Sequence, residues 1–185
     1  MWWIILGVII VLAIIIAIMY NSLVTLKQRT QNAWSQIDVQ LQRRFDLIPN
    51  LVECVKGYMT HESETLENVT KLRTSWSEAT TAGEKMKLDN ELSSSLKSIM
   101  AVAESYPDLK ANQNFISLQG ELTDTENKIS YSRQFYNDIV TRYNTKIQTV
   151  PSNIIAGILG FKAQELYKID TEEARKSVKV DFNNK

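Results

Sequence analysis

The chain has 185 residues, and its 21 basic and 21 acidic side chains cancel to a formal charge of zero. That length suits one membrane segment and one modest domain, and the charge balance excludes a nucleic-acid binder that relies on counterion release. A single cysteine, Cys54, excludes an internal disulfide, and a single histidine, His61, leaves zinc chemistry short of ligands.

From Trp2 to Tyr20 the run WWIILGVIIVLAIIIAIMY carries no charged side chain, and the first in the chain is Lys27. Nineteen helical residues rise about 28 Å, close to the hydrocarbon thickness of a bilayer. A cleaved signal peptide wants a basic n-region, a shorter apolar run and a small-x-small cleavage site, and this stretch has none of them. Trp2 and Trp3 at one end and Tyr20 at the other stand where interfacial aromatics belong. Residues 1–21 are therefore expected to be a single-pass membrane anchor. Lys27 and Arg29 follow the span, so the positive-inside rule puts the N-terminus outside and the larger domain in the cytoplasm.

Beyond residue 20, helical periodicity dominates and strand-like alternation is missing. The expected fold class is all-α, with the anchor leading into an antiparallel up-and-down four-helix bundle over residues 22–150. A first helix should run to about Arg44 with Leu23, Leu26, Ala33, Ile37 and Leu41 on one face. Pro49 cannot continue it, because its ring would clash with the Phe45 carbonyl, and instead suits the first turn of a second helix. That second helix is expected to reach Thr80–Gly83 through Leu51, Val55, Tyr58, Glu62, Thr65, Val69, Leu72 and Trp76, with Gly83 as a left-handed stop. A third covers about Glu84–Glu104 through Leu88, Leu92, Leu96, Ile99 and Val102. Ser105 and Asp108 then have the spacing of a capping box. A fourth, from about Asp108 to Thr149, carries Phe115, Leu118, Leu122, Thr125, Ile129, Ser132, Tyr136, Ile139, Tyr143, Lys146 and Val150.

Pro151 stops this last helix, and the uncharged SNIIAGILGF follows, too short to span a membrane. An antiparallel bundle would return residues 151–161 to the bilayer surface. There Ile154, Ile155, Ile158, Leu159 and Phe161 would lie in the interface, or else fold over the open end of the bundle. Residues 162–185 read as a polar tail, with one short helix at AQELYKI and then a loose end.

Chemistry is sparse. His61 and Glu62 begin HESETLE rather than H-E-x-x-H, and Cys54 lies two helical turns from His61, too far for a nucleophile pair. Glu62 with Glu64, or Glu121 with Glu126, share no helix face, and the six glycines are isolated, so no phosphate loop exists. No catalytic, cofactor or metal site is expected. The charged cluster at Arg43, Arg44 and Asp46 remains. Asp46 is placed to cap the second helix, and the Arg44 stem can cover apolar surface while its head seeks a carboxylate, Glu62 among them. The cluster reads as a corner of the fold held by charges, or as a docking point for an acidic partner.

The stretches YNSLVTLKQRTQNAWSQIDVQLQRRFDLIPNLVECVKGYMTHE, AVAESYPDLKANQNFISLQGELTDTENKISYSRQFYNDIVTRYN and PSNIIAGILGF closely resemble the LemA family of bacterial membrane proteins. The resemblance covers about residues 1–162. It implies a bacterial source, one N-terminal span and an antiparallel four-helix bundle. It implies no reaction and carries over no catalytic residue. The expected function is a non-enzymatic membrane scaffold that binds lipid, self-associates into a homo-oligomer, and organises or remodels the bacterial envelope. The alternative is an adaptor that docks a membrane protease or another envelope protein.

Overall fold

A helix of 45 residues, α1 (Trp2–Asp46), carries the apolar N-terminal run without a break into the polar part of the chain. Gly7 is the one glycine or proline before Pro49, so nothing in this stretch removes a backbone donor. In this computed structural model, which describes residues 1–59 and 63–168, six further helices follow. They are α2 (Ile48–Lys56), α3 (Ser63–Glu78), α4 (Ala82–Ala103), α5 (Pro107–Lys110), α6 (Gln113–Gln148) and α7 (Ser152–Ile158). Among the described residues there is no strand.

Two compact units are present. Of the described residues, one comprises Met1–Gln42 with Thr125–Tyr167, the other those of Arg43–Asp124 with Lys168. In the first unit, Leu23, Ala33, Ile37, Ile129, Val140 and Tyr143 form the core, each at most 1% exposed. Trp34 packs edge-on against Tyr136, with ring centroids 5.8 Å apart. In the second unit, Phe45 stacks on Trp76 at 4.7 Å, and Leu51, Val55, Val69, Leu92 and Ile99 are fully buried beside them. Each such side chain contributes about 1.5–3 kcal/mol by leaving water.

The expected stripes hold where the period is regular. Leu23, Ala33, Ile37 and Leu41 are buried in α1, as are Leu92, Leu96 and Ile99 in α4, while Leu26, Leu88 and Val102 are only half-buried. Val150 departs outright, at 79% exposed, because α6 ends at Gln148 before the stripe reaches it.

Helix ends differ more. The helix expected from Pro49 to Thr80 is two helices. Gly57 closes α2, and the Tyr58 and Met59 N–H groups both turn back on the Val55 carbonyl. A glycine inside a helix costs about 1 kcal/mol against alanine, which makes this the weakest link of that run. Gly83 is no stop, since it lies in the first turn of α4. Thr81 caps that helix in a reciprocal box: its hydroxyl accepts from the Glu84 N–H and the Glu84 carboxylate accepts from the Thr81 N–H. Ser105 and Asp108 form no box. Tyr106 precedes α5 without a side-chain cap, and Asn112 caps α6 by accepting from the Asn114 and Phe115 N–H groups. Asp46, expected at the capping position of α2, is the last residue of α1, and that position falls to Leu47, whose side chain makes no capping bond.

Candidate functional site

Three sets of side chains stand out from ordinary helix packing. The first lies where the apolar run ends. Every side chain from Met1 to Ile18 is exposed, Trp2 at 86% and Trp3 at 84%, and the segment is long and apolar enough to cross a membrane. At its end Tyr20 meets Phe161 edge-on, with ring centroids 6.4 Å apart, and the Lys27 ammonium sits 5.8 Å from the Phe161 ring centre.

Local backbone chemistry brings Phe161 there. Gly160 adopts φ +70°, a left-handed conformation that only glycine takes without strain. The Phe161 N–H reaches the Ala156 carbonyl at 2.9 Å while the Gly160 N–H faces the Gly157 carbonyl, the paired bonds of a Schellman helix stop. The same turn fixes the facing of α7. Ser152 and Ala156, four apart, are buried, whereas Ile154, Ile158 and Leu159 are 61%, 78% and 51% exposed. Ile155 and Phe161 are half-buried. A short helix thus presents large aliphatic side chains outward, beside the foot of the apolar helix.

The second set is the charged corner. Arg44 is 4% exposed and its guanidinium donates to the Asp89 carboxylate at 2.7 Å and to the Ser93 hydroxyl at 2.9 Å. The Ser93 hydroxyl in turn donates to the Asp89 carbonyl, one turn back along α4. Asp89 itself is fully buried. Of the three expected residues, Arg44 is drawn into this buried network, and Arg43 and Asp46 are exposed. Glu62, the other expected partner, lies outside the described residues, as does His61. Asp89 was legible in principle: it falls on the three-and-four line of Leu92, Leu96, Ile99 and Ala103, where an acid needs a buried cation.

The third set was not expected. Residues 161–168 are extended rather than helical, and they run antiparallel along α6. The Tyr143 hydroxyl donates to the Lys162 carbonyl and the Tyr136 hydroxyl to the Glu165 carbonyl. Asn144 clamps Gln164 from both sides, its amide nitrogen donating to the carbonyl at 2.8 Å and its oxygen accepting the N–H at 2.9 Å. Asn137 clamps Tyr167 in the same way, at 3.0 and 2.8 Å. The register follows from arithmetic: seven residues of helix and three of extended chain both advance about 10 Å. The Tyr-Asn pairs at 136–137 and 143–144 therefore match a segment repeating every third residue. Tyr167 anchors the end, stacked on Trp34 with Arg133 4.8 Å above its ring. Burial pushes the Tyr136 hydroxyl up from its ordinary value, with the Glu165 charge adding to it, and burial does the same to Tyr143.

The nucleophile inventory stays short. Cys54 is half-buried and its thiol is pushed up by that burial, away from the reactive thiolate. Among the described residues no three His, Cys, Asp or Glu side chains converge as a metal site. An open groove of about 620 Å³ runs between α2 and α3, lined by Val52, Met59, Leu66 and Thr70 with the charged Lys56, Glu67 and Lys71.

Comparison with known proteins matches the LemA family model to residues 33–182. Protein LemA of Metamycoplasma hominis is 28% identical over 159 residues, covering 82% of this chain and 73% of that protein. Magnetosome protein MamQ 2 of Paramagnetospirillum magneticum is 27% identical over 175 residues, and magnetosome protein MamQ of Magnetospirillum gryphiswaldense 25% over 174. The chain spans 64% of the length of each of these two magnetosome proteins.

Proposed function

The chain belongs to the LemA family, and we propose that it is a non-enzymatic, membrane-anchored scaffold that self-associates into a homo-oligomer and so organises or remodels the bacterial membrane. One observation carries the reading. The Tyr20 ring, at the end of the apolar helix, is in contact with Phe161, at the end of a short helix whose Ile154, Ile158 and Leu159 are bare. With Tyr20 at the bilayer surface, α7 lies in the interface and buries those three side chains among the headgroups. The protein then grips the membrane twice, once through it and once along it, on the same side.

The finer architecture belongs to the same proposal. We take α1, α3, α4 and α6 as an antiparallel four-helix bundle on the cytoplasmic face, with Lys27 and Arg29 as the positive-inside residues. Exposed apolar side chains on the helices, Val39 at 64% and Ile116 at 45%, give the copies surfaces on which to pack side by side. Names among the relatives, a family and a magnetosome, denote no reaction.

A second reading, an adaptor for an envelope protein, draws on the groove between α2 and α3, which is lined by apolar side chains together with Lys56, Glu67 and Lys71. Light scattering separates the two on full-length protein in mild detergent, with the detergent mass subtracted. A discrete particle of several chains supports the scaffold. A monomer at every detergent and lipid condition tried contradicts it and turns attention to the groove.

A further inference from the structure

The extended segment along α6 is held almost wholly by its backbone. Of Lys162, Ala163, Gln164, Glu165, Leu166 and Tyr167, only Tyr167 is buried. All six polar bonds from Tyr136, Asn137, Tyr143 and Asn144 go to main-chain N–H or C=O groups. Such a face recognises extended chain rather than a particular set of side chains, as a sheet edge does. It differs from a sheet edge in reading every third residue, from two clamps one heptad apart.

The hold is finely balanced. Ordering half a dozen residues costs free energy of the same order as half a dozen net hydrogen bonds return, which leaves the Tyr167 anchor to decide the outcome. A segment in that balance opens readily. It is also joined to the rest of the chain through Gly160, whose backbone tolerates conformations closed to other residues.

We propose that the α6 face bearing Asn137 and Asn144 is a docking site for residues 162–167 of a second copy, exchanged reciprocally between neighbouring chains. The proposal rests on the self-association reading above and names the contact through which it occurs. The occupant follows from the anchoring. Copies inserted by the same apolar helix stand at the same height, so each offers its segment level with its neighbour's α6. Confinement to a plane raises the local concentration of that segment, and an exchange of identical elements closes into a symmetric pair or ring at little cost.

The experiment uses two full-length chains carrying different tags. One bears N137A and N144A, so it keeps its segment and loses its clamps. The other bears Y167A, so it keeps its clamps and loses its anchor. Neither can close on itself, and only the mixture contains a good segment and a good face. Co-purification of the two tags in mild detergent is expected to exceed that of either variant with its own differently tagged copy by about tenfold. Equal association in all three pairings overturns the exchange, whether the particles are large or small, while the wild-type mass alone decides self-association. Should the double variant not fold, a labelled peptide of residues 161–168 serves instead. It is expected to bind the Y167A chain about tenfold tighter than the wild type, whose own segment competes, and equal binding to both overturns the proposal.

Discussion

The Phe161 ring meets the Tyr20 ring edge-on at 6.4 Å, joining residues 141 positions apart at the foot of the apolar helix. Edge-to-face aromatic pairs add about 0.5–1.5 kcal/mol beyond their burial. That is modest, yet together with the hydrogen-bonded helix stop at Gly160 the contact sets where α7 lies. Replacing Gly160 by alanine forces a Cβ into the left-handed region at a cost of about 1–2 kcal/mol. Space is not the obstacle, since nothing lies within 4 Å of such a Cβ. G160A is therefore expected to speed amide exchange across α7 and the following segment while α3 and α4 keep their protection, as read by hydrogen-exchange mass spectrometry.

The Arg44–Asp89 pair predicts a sharply non-additive double mutant. Asp89 is fully buried and Arg44 nearly so, and removing one partner of a buried pair costs about 3–5 kcal/mol. For a chain of this size D89A should lower the midpoint of thermal unfolding by roughly 10 °C. R44M with D89L, which replaces both charges by apolar volume, should recover most of that loss. Equal melting of D89A and the wild type would show the pair to be incidental.

The clamps on the extended segment are separable. N144A removes both bonds to Gln164 and leaves those of Asn137 to Tyr167 in place. Losing two hydrogen bonds to half-buried backbone is expected to weaken the segment by about 1–3 kcal/mol. Exchange of the Gln164 amide should accelerate at least tenfold, with that of α4 unchanged.

Alkali should release the same segment. Tyr136 and Tyr143 donate to main-chain carbonyls, and burial raises both above the ordinary tyrosine value of 10.0. A group raised in the folded state lends stability that is full below its unfolded pKa and is lost as pH climbs through the folded value. Stability from these hydroxyls is thus complete at neutral pH and falls away above about pH 10. The acid limb has the opposite sign. Hydrogen bonds from Thr81, backbone and hydroxyl, hold the Glu84 carboxyl below its ordinary value, so that helix cap weakens only as pH falls through the lowered value. Y136F and Y143F together should flatten the alkaline loss and leave the acid limb alone.

Regular periodicity made the long helices readable. Leu23, Ala33, Ile37 and Leu41 repeat by three and four, and burial follows that repeat because nothing local competes with it. The T-A-G-E cap at Thr81–Glu84 was equally readable in kind, but Gly83 beside it drew the wrong inference, since glycine also fits a helix's first turn. The extended segment was not readable from its own residues. Ala163, Gln164, Glu165, Leu166 and Lys168 all favour helix, and they are extended because Asn137 and Asn144, some twenty to thirty positions earlier, supply the backbone partners a helix would otherwise provide. Its signal sat in α6, in the Tyr-Asn pair repeated after seven residues. The loose end expected after it lies outside the described residues.

The most direct test of a second membrane contact beside the anchor is the surroundings of Ile158. A full-length chain carrying I158C and C54S, labelled with an environment-sensitive dye and placed in a lipid nanodisc, reports them. Y131C in the same background is the reference, because Tyr131 is 73% exposed on α6. Blue-shifted emission from position 158 that brominated lipids quench is expected, against water-like, unquenched emission from position 131. Water-like emission at both positions would contradict it, and α7 would then be a cap on the helices rather than a grip on the membrane.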